Sequence, residues 1–170
     1  HPLAISADGL HLYATNTPAN SLSVFSLKEV KSPELVLEVP VGLDPVSLAV
    51  NTQNEVWVVN HISDSVSVID TDQTSATYHH VIATVQALAD DAMVTQFDEP
   101  VGIAFASSGK AFVALGPANE IAVIENYEVT GRLPIRAQDP RAIAVQDNRL
   151  YVIPFESNNQ TQLSGCASAS

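Results

Sequence analysis

The 170-residue chain is poor in several things at once: one cysteine, one methionine, one tryptophan, and 7 Lys+Arg against 19 Asp+Glu. With Cys166 alone, no disulfide can close inside it. A formal charge of −12 leaves no basic face to neutralise phosphates, which argues against a nucleic-acid partner. No apolar run approaches the ~18 residues that span a bilayer as a helix, so no transmembrane segment is expected. Only 15% of residues are charged, below the ~25% of an average soluble domain, yet 46% are hydrophobic. That balance excludes intrinsic disorder. From Ser32 to Gly109 there is no Lys or Arg, while eleven carboxylates fall in that stretch. The chain starts at His1 rather than Met and reads as mature, trimmed or excised.

What is present is a repeat. Pro45-Val46-Ser47-Leu48-Ala49-Val50 matches Pro100-Val101-Gly102-Ile103-Ala104-Phe105 and Pro140-Arg141-Ala142-Ile143-Ala144-Val145. Pro2-Leu3-Ala4-Ile5 is a shorter copy. The shared alanines Ala4, Ala49, Ala104 and Ala144 are 45, 55 and 40 residues apart. In each copy a turn rich in Gly, Asn and Asp follows, then a second apolar run carrying an aromatic: Tyr13, Trp57, Phe112 and Tyr151. Third runs follow at Ser21–Phe25, Ser65–Asp70 and Glu120–Glu125, and weaker fourth runs at Leu35–Val39, His80–Val85 and Thr130–Leu133.

Runs this short, rich in β-branched and aromatic residues, predict antiparallel strands, four to a repeat. Several are apolar at consecutive positions, as in Val56-Trp57-Val58-Val59, so both sheet faces are covered. A small four-stranded sheet covered on both faces is a propeller blade, with the Pro-x-small-apolar-Ala run innermost. The expectation is an all-β propeller of about three and a half blades, at residues 1–43, 44–99, 100–139 and 140–163. Residues 164–170 form a small-residue tail or linker. An open arc leaves apolar faces bare at its ends, so it is expected to belong to a larger, roughly six- to eight-bladed propeller; a compact four-bladed ring is the alternative.

Trp57-Val58-Val59-Asn60 followed by Asp64-Ser65-Val66-Ser67-Val68-Ile69-Asp70 resembles the YVTN-type β-propeller repeat. Looser copies run from Leu12 to Phe25 and from Ala111 to Glu125, where Leu115 replaces the Asn. The resemblance implies a bacterial or archaeal surface or periplasmic setting. It also implies that a haem-containing redox domain, where there is one, lies outside this chain.

Candidate sites are sparse. His61, His79 and His80, with Asp64, Asp70 and Asp72 near in sequence, are candidate metal ligands, because imidazole and carboxylate bind zinc or another transition metal. Adjacent histidines on a strand point to opposite faces, which counts against a shared ion. The insertion Gln86–Glu99 lengthens the second repeat and offers Asp90, Asp91, Asp98 and Glu99 as oxygen ligands for calcium, without the spacing of a dedicated loop. As a loop it is also a candidate partner contact. Asn16 and Asn60 recur at one place after the second run, which points to a structural cap. Arg132, Arg136, Arg141 and Arg149 could bind an anion or a partner's carboxylates.

No Gly-x-Ser-x-Gly elbow, Cys-x-x-Cys-His or glycine-rich phosphate loop occurs, so no catalytic constellation or cofactor motif is recognisable. The second-strand exits carry Asn16, Asn60, Leu115 and Pro154, which form no acid–base set. The expected function is an extracytoplasmic, periplasmic or cell-surface, propeller module that binds or scaffolds a protein: remaining blades, a neighbouring domain or a redox partner. The alternative, implied by the resemblance because similar propellers include such enzymes, is a propeller enzyme: a lactone hydrolase or a metal- or haem-associated oxidoreductase.

Overall fold

Short apolar runs cut by turn residues give strands joined to their sequence neighbours. The computed structural model describes residues 1–29, 32–88, 95–136, 138–147 and 149–156, and among these it shows fourteen strands. Asp90, Asp91, the last residues of the expected fourth blade (157–163) and the tail with Cys166 lie outside the described residues. Sheet I contains β1 (Leu3–Ile5), β2 (His11–Asn16), β3 (Ser21–Ser26) and β4 (Glu34–Pro40). Sheet II contains β5 (Pro45–Val50), β6 (Glu55–Asn60), β7 (Ser65–Asp70) and β8 (Val81–Val85). Sheet III contains β9 (Pro100–Phe105), β10 (Ala111–Leu115), β11 (Glu120–Glu125) and β12 (Glu128–Pro134), and sheet IV pairs β13 (Gln138–Gln146) with β14 (Arg149–Glu156). Pairing is antiparallel throughout. Among the described residues there is no α-helix, only one turn of 3₁₀ at Thr17–Ala19.

The first strands β1, β5, β9 and β13 lie side by side, so the sheets fan from a common axis as blades of a partial propeller. The repeat is written into the register. Ala4 faces Tyr13, Ala49 faces Trp57, Ala104 faces Phe112 and Ala144 faces Tyr151, a small residue opposite a large one in every sheet. All six residues of β6 and of β7 are buried, because sheet II has a neighbour on each face. Its side chains alternate accordingly: Val56, Val58 and Ile69 pack with Tyr13, Leu22 and Val24 of sheet I. Trp57, Val59, Val66 and Val68 pack with Ile103, Val113, Leu115 and Ile124 of sheet III.

Outer edges carry a second repeated device. Register slips between Val24 and Phe25, Val68 and Ile69, and Val123 and Ile124 leave Val36, Ile82 and Thr130 as extra residues on β4, β8 and β12. A bulge at the same point of each edge strand twists it away from further pairing, which protects exposed edges from aggregation.

Neighbouring blades are also clipped together. Asn20, Asp64 and Asn119, in the turns between second and third strands, all adopt left-handed backbone (φ 54°, 48° and 54°). Their Oδ1 atoms accept the N–H of Asp44, Glu99 and Asp139 at 2.9, 3.0 and 2.7 Å. Each acceptor binds the residue just before the proline that opens the next blade. Those corner residues are left-handed too, at φ 57°, 43° and 54°.

Asn16 and Asn60 do a different job from capping a turn's backbone. Asn60 Nδ2 donates to Ser65 Oγ and Ser67 Oγ at 3.1 and 3.0 Å, and Asn16 Nδ2 donates to Glu38 Oε1 at 3.1 Å. Both tie strand ends together across the sheet. Gly42 lies against the Asn60 amide, where a Cβ would sit 2.6 Å from its Cγ, so only glycine lets the I–II connection pass.

Candidate functional site

The corners that open β9 and β13 border a cleft of about 290 Å³ at the axial end of sheets II, III and IV. Its charged lining is His61, Glu99, Asp139 and Arg141. His61 follows β6 directly, and its Nδ1 lies 3.3 Å from the carbonyl of Pro100 in the next blade. Its Nε2 stands 4.0 Å from Glu99 Oε2. Arg141 Nη2 and Nε both donate to Asp139 Oδ2, at 2.6 and 3.0 Å. One imidazole–carboxylate pair and one guanidinium–carboxylate pair thus meet in a single cleft.

Local backbone explains the convergence. On the innermost strands the register slips after each proline, leaving Val46, Val101 and Arg141 as the extra residue. Such a bulge re-aims a side chain, and Val101 and Arg141 both line the cleft. Two copies carry Val at this point and the third carries Arg. Glu99 is strained: a long side chain rarely adopts φ 43°, and the Asp64 clip holds it there. The same clip holds Asp44 and Asp139 in left-handed backbone, so the conformation belongs to the repeat and its effect here is to fix where Glu99 leaves the chain.

The titratable side chains of the cleft lie one step beyond the second-strand exits, at His61 and at the corner and bulge positions. The sequence signal for them is departure from the repeat: His61 stands where the other copies have Thr17 and Gly116, and Arg141 where they have valines.

His61 does not join His79 and His80. The six residues of β7 separate them, placing them at opposite ends of sheet II, and among the described residues no three His, Cys, Asp or Glu are grouped to hold a metal ion. His80 is exposed, with Nδ1 2.9 Å from the Tyr78 carbonyl. His79, at φ 61°, turns its ring between Tyr78, stacked at 3.7 Å, and His11 of sheet I, edge-on at 6.1 Å. Its Nε2 is buried without a partner. The described ends of the insertion pair Leu88 with Thr95, and Phe97 is sunk into the core between sheets II and III. Of the four arginines, Arg132 pairs with Glu120 at 3.3 Å, and only Arg141 reaches the axial cleft.

Burial lowers the His79 pKa from its ordinary 6.5, helped by His11 and His80 and opposed by Asp70. With the folded value below the unfolded one, the unfolded chain binds the extra proton between them, so stability falls as pH drops below about 6.5. Asp8 and Asp70 are held below 3.8 and act only in stronger acid. Urea midpoints measured from pH 7.5 to 5.5 should therefore decline in the wild type. In His79→Asn, which keeps a residue tolerant of left-handed backbone, the decline should flatten. An equal decline in both proteins would assign it to another group.

A family model described as a lactonase, seven-bladed β-propeller, matches residues 2–97. No curated protein matches significantly. Among solved structures, hydrazine synthase of Kuenenia stuttgartiensis is 25% identical with a TM-score of 0.73, over 89% of this chain and 41% of that one. A candidate 6-phosphogluconolactonase of Bacteroides uniformis is 22% identical with a TM-score of 0.69, over 89% of this chain and 49% of its own. The periplasmic gluconolactonase of Pseudomonas aeruginosa is 16% identical with a TM-score of 0.69, over 88% and 45%. The chain therefore spans less than half the length of each.

Proposed function

The chain belongs to the lactonase, seven-bladed β-propeller family, and we propose from that premise that its axial cleft binds and hydrolyses the lactone of a sugar acid. The carrying observation is that His61, Glu99 and Arg141 converge there from different blades. A volume of about 290 Å³ is near the lower end for small-ligand sites and suits a single sugar ring. Water adds to the lactone carbonyl carbon while the His61–Glu99 pair takes its proton. Arg141 stabilises the oxygen that becomes negative. The ring C–O bond then breaks, and the leaving oxygen takes the proton back to give the open hydroxy acid.

The test is a pH-stat assay of glucono-1,5-lactone, corrected for spontaneous opening. Wild type should exceed the blank, and Glu99→Gln should lose about 100-fold of the enzymatic rate. A wild-type rate equal to the blank would overturn the reading.

A second reading is a module that binds or supports a neighbouring part of a larger protein. The 25% identity to a hydrazine synthase chain more than twice as long favours it. Lactone turnover that depends on Glu99 would exclude it as the sole role.

A further inference from the structure

Resting on the lactone reading of the axial cleft, we propose that Asp139 determines its specificity: Asp139 Oδ1, beside Gly116, accepts the hydroxyl on the ring carbon next to the carbonyl. The cleft then selects 2-hydroxylactones over lactones that lack that group. Gly116 and Asp139 both line the cleft, and a Cβ on residue 116 would stand 3.0 Å from Asp139 Oδ1. The repeat shows what Gly116 leaves out. Thr17, at the same place in sheet I, donates its Oγ1 to the carbonyl of Pro45 at 2.7 Å, and His61 sets Nδ1 3.3 Å from the carbonyl of Pro100. Gly116 brings no side chain to the third junction, and the space beside Asp139 Oδ1 is left to a ligand.

The carboxylate is held ready. Asp139 N–H donates to Asn119 Oδ1 at 2.7 Å, which fixes its backbone. Arg141 Nη2 and Nε both donate to Oδ2, at 2.6 and 3.0 Å, which fixes the side chain. Among the described residues nothing donates to Oδ1, and nothing accepts from Arg141 Nη1. The Phe155 ring lies 5.4 Å from Arg141 Cζ and braces the guanidinium. As a partly exposed ion pair alone, the two contribute little to stability. Together they present a free acceptor and free N–H donors side by side in one cleft.

The ligand's features follow from that pair. An ionised carboxylate only accepts, so the group on Asp139 is a donor, a hydroxyl rather than an ether or carbonyl oxygen. In a 2-hydroxylactone the carbonyl oxygen and the hydroxyl leave adjacent ring carbons. The carbonyl meets the Arg141 N–H groups while the hydroxyl meets Asp139 Oδ1. The carbonyl oxygen is the atom that becomes negative on hydrolysis, so the hydroxyl contact orients the reacting group. The other junctions lack this combination: their bulge residues are Val46 and Val101, and the corner residue Glu99 faces His61.

The probes are D-glucono-1,5-lactam and its 2-deoxy counterpart, ring mimics that resist hydrolysis, titrated into the whole chain and followed by ¹H–¹⁵N NMR. The first should shift the amides of Val101, Gly116, Asn119 and Arg141 and bind about tenfold tighter than the second. Asp139→Gly suits the left-handed backbone at φ 54° and keeps the N–H that Asn119 holds, and it should bring the ratio to about one. Gly116→Thr, which installs the sheet I residue, should narrow the ratio as well. Preserved spectral dispersion confirms that the variants fold. Equal affinity of the wild type for the two lactams, binding of neither, or an undiminished ratio in Asp139→Gly would overturn the proposal. A lactam preference in a chain that opens no lactone would remove the hydrolysis and leave this assignment standing. Glucono-1,5-lactone and its 2-deoxy form opened with equal kcat/KM would do the reverse.

Discussion

Glu55→Ala should lower stability by about 4 kcal/mol, which for a chain this size is a fall of roughly 10 °C in Tm. Glu55 is buried at the start of β6, and its carboxylate is the shared acceptor of three donors. Asn51 Nδ2 lies 2.6 Å and Trp57 Nε1 2.9 Å from Oε2, and the Tyr127 hydroxyl donates to Oε1. Asn51 and Trp57 are both buried, so removing the acceptor strands two donors that water does not readily reach. Trp57 also stacks edge-on with Phe105 at 5.3 Å and lies 5.8 Å from Tyr127, so the contact spans sheets II and III. Glu55→Gln should cost only about 1 kcal/mol, because its carbonyl still accepts and the Tyr127 oxygen can accept from its amide.

A spectroscopic signature separates this network from simple packing. The hydrogen bond to Glu55, with burial behind it, pushes the Tyr127 phenol up to about 12. In Glu55→Gln that titration should move back toward 10, measured by ultraviolet absorbance against Tyr127→Phe. An alanine variant as stable as wild type would show that the three donors find other partners.

Much of the architecture was legible because it is repeated. The pairing of Ala4, Ala49, Ala104 and Ala144 with Tyr13, Trp57, Phe112 and Tyr151 needs only self-similarity, and each copy corroborates the others. The clips were harder to read. Asn20, Asp64 and Asn119 look like ordinary turn residues, and their partners lie 24, 35 and 20 residues away at positions fixed only by blade packing. The Glu55–Tyr127 bond spans 72 residues and has no counterpart in the other copies.

The candidate site was illegible for the opposite reason. The side chains that meet in the cleft are those that leave the pattern, and a search along the second-strand exits follows the pattern. His61 is visible as a histidine, but sequence proximity groups it with His79 and His80, a grouping that the six residues of β7 forbid. Arg141 lay inside a repeat copy, where only the bulge reveals that it turns toward the cleft. The carboxylates Glu99 and Asp139 are named by their place before proline, but their left-handed backbone is a tertiary result.

Phe97→Ala should cost about 4 kcal/mol, and the figure decides what the insertion in the second repeat does. Read from sequence, that insertion is an acidic loop offering calcium ligands or a partner contact. In the structure Phe97 is fully buried beside Trp57, Val59, Val66 and Val85 of sheet II and Ile103 and Val113 of sheet III. Its approach is fixed by the Gln96 N–H, which donates to the Ala87 carbonyl at 2.7 Å, and by its own N–H, which donates to Thr95 Oγ1 at 2.9 Å. Truncation removes an aromatic ring from a site walled by two rigid sheets, so collapse is limited and the cavity cost adds to the lost transfer energy. Phe97→Leu, which keeps most of the volume, should cost about 1.5 kcal/mol. Because Phe97 precedes the strained Glu99 by two residues, its anchoring also holds the corner that forms the axial cleft. Urea unfolding of the two variants supplies the measurement. A loss below about 1 kcal/mol in Phe97→Ala would mean that the ring contributes little to the II–III junction, and that the clip from Asp64 holds Glu99 on its own.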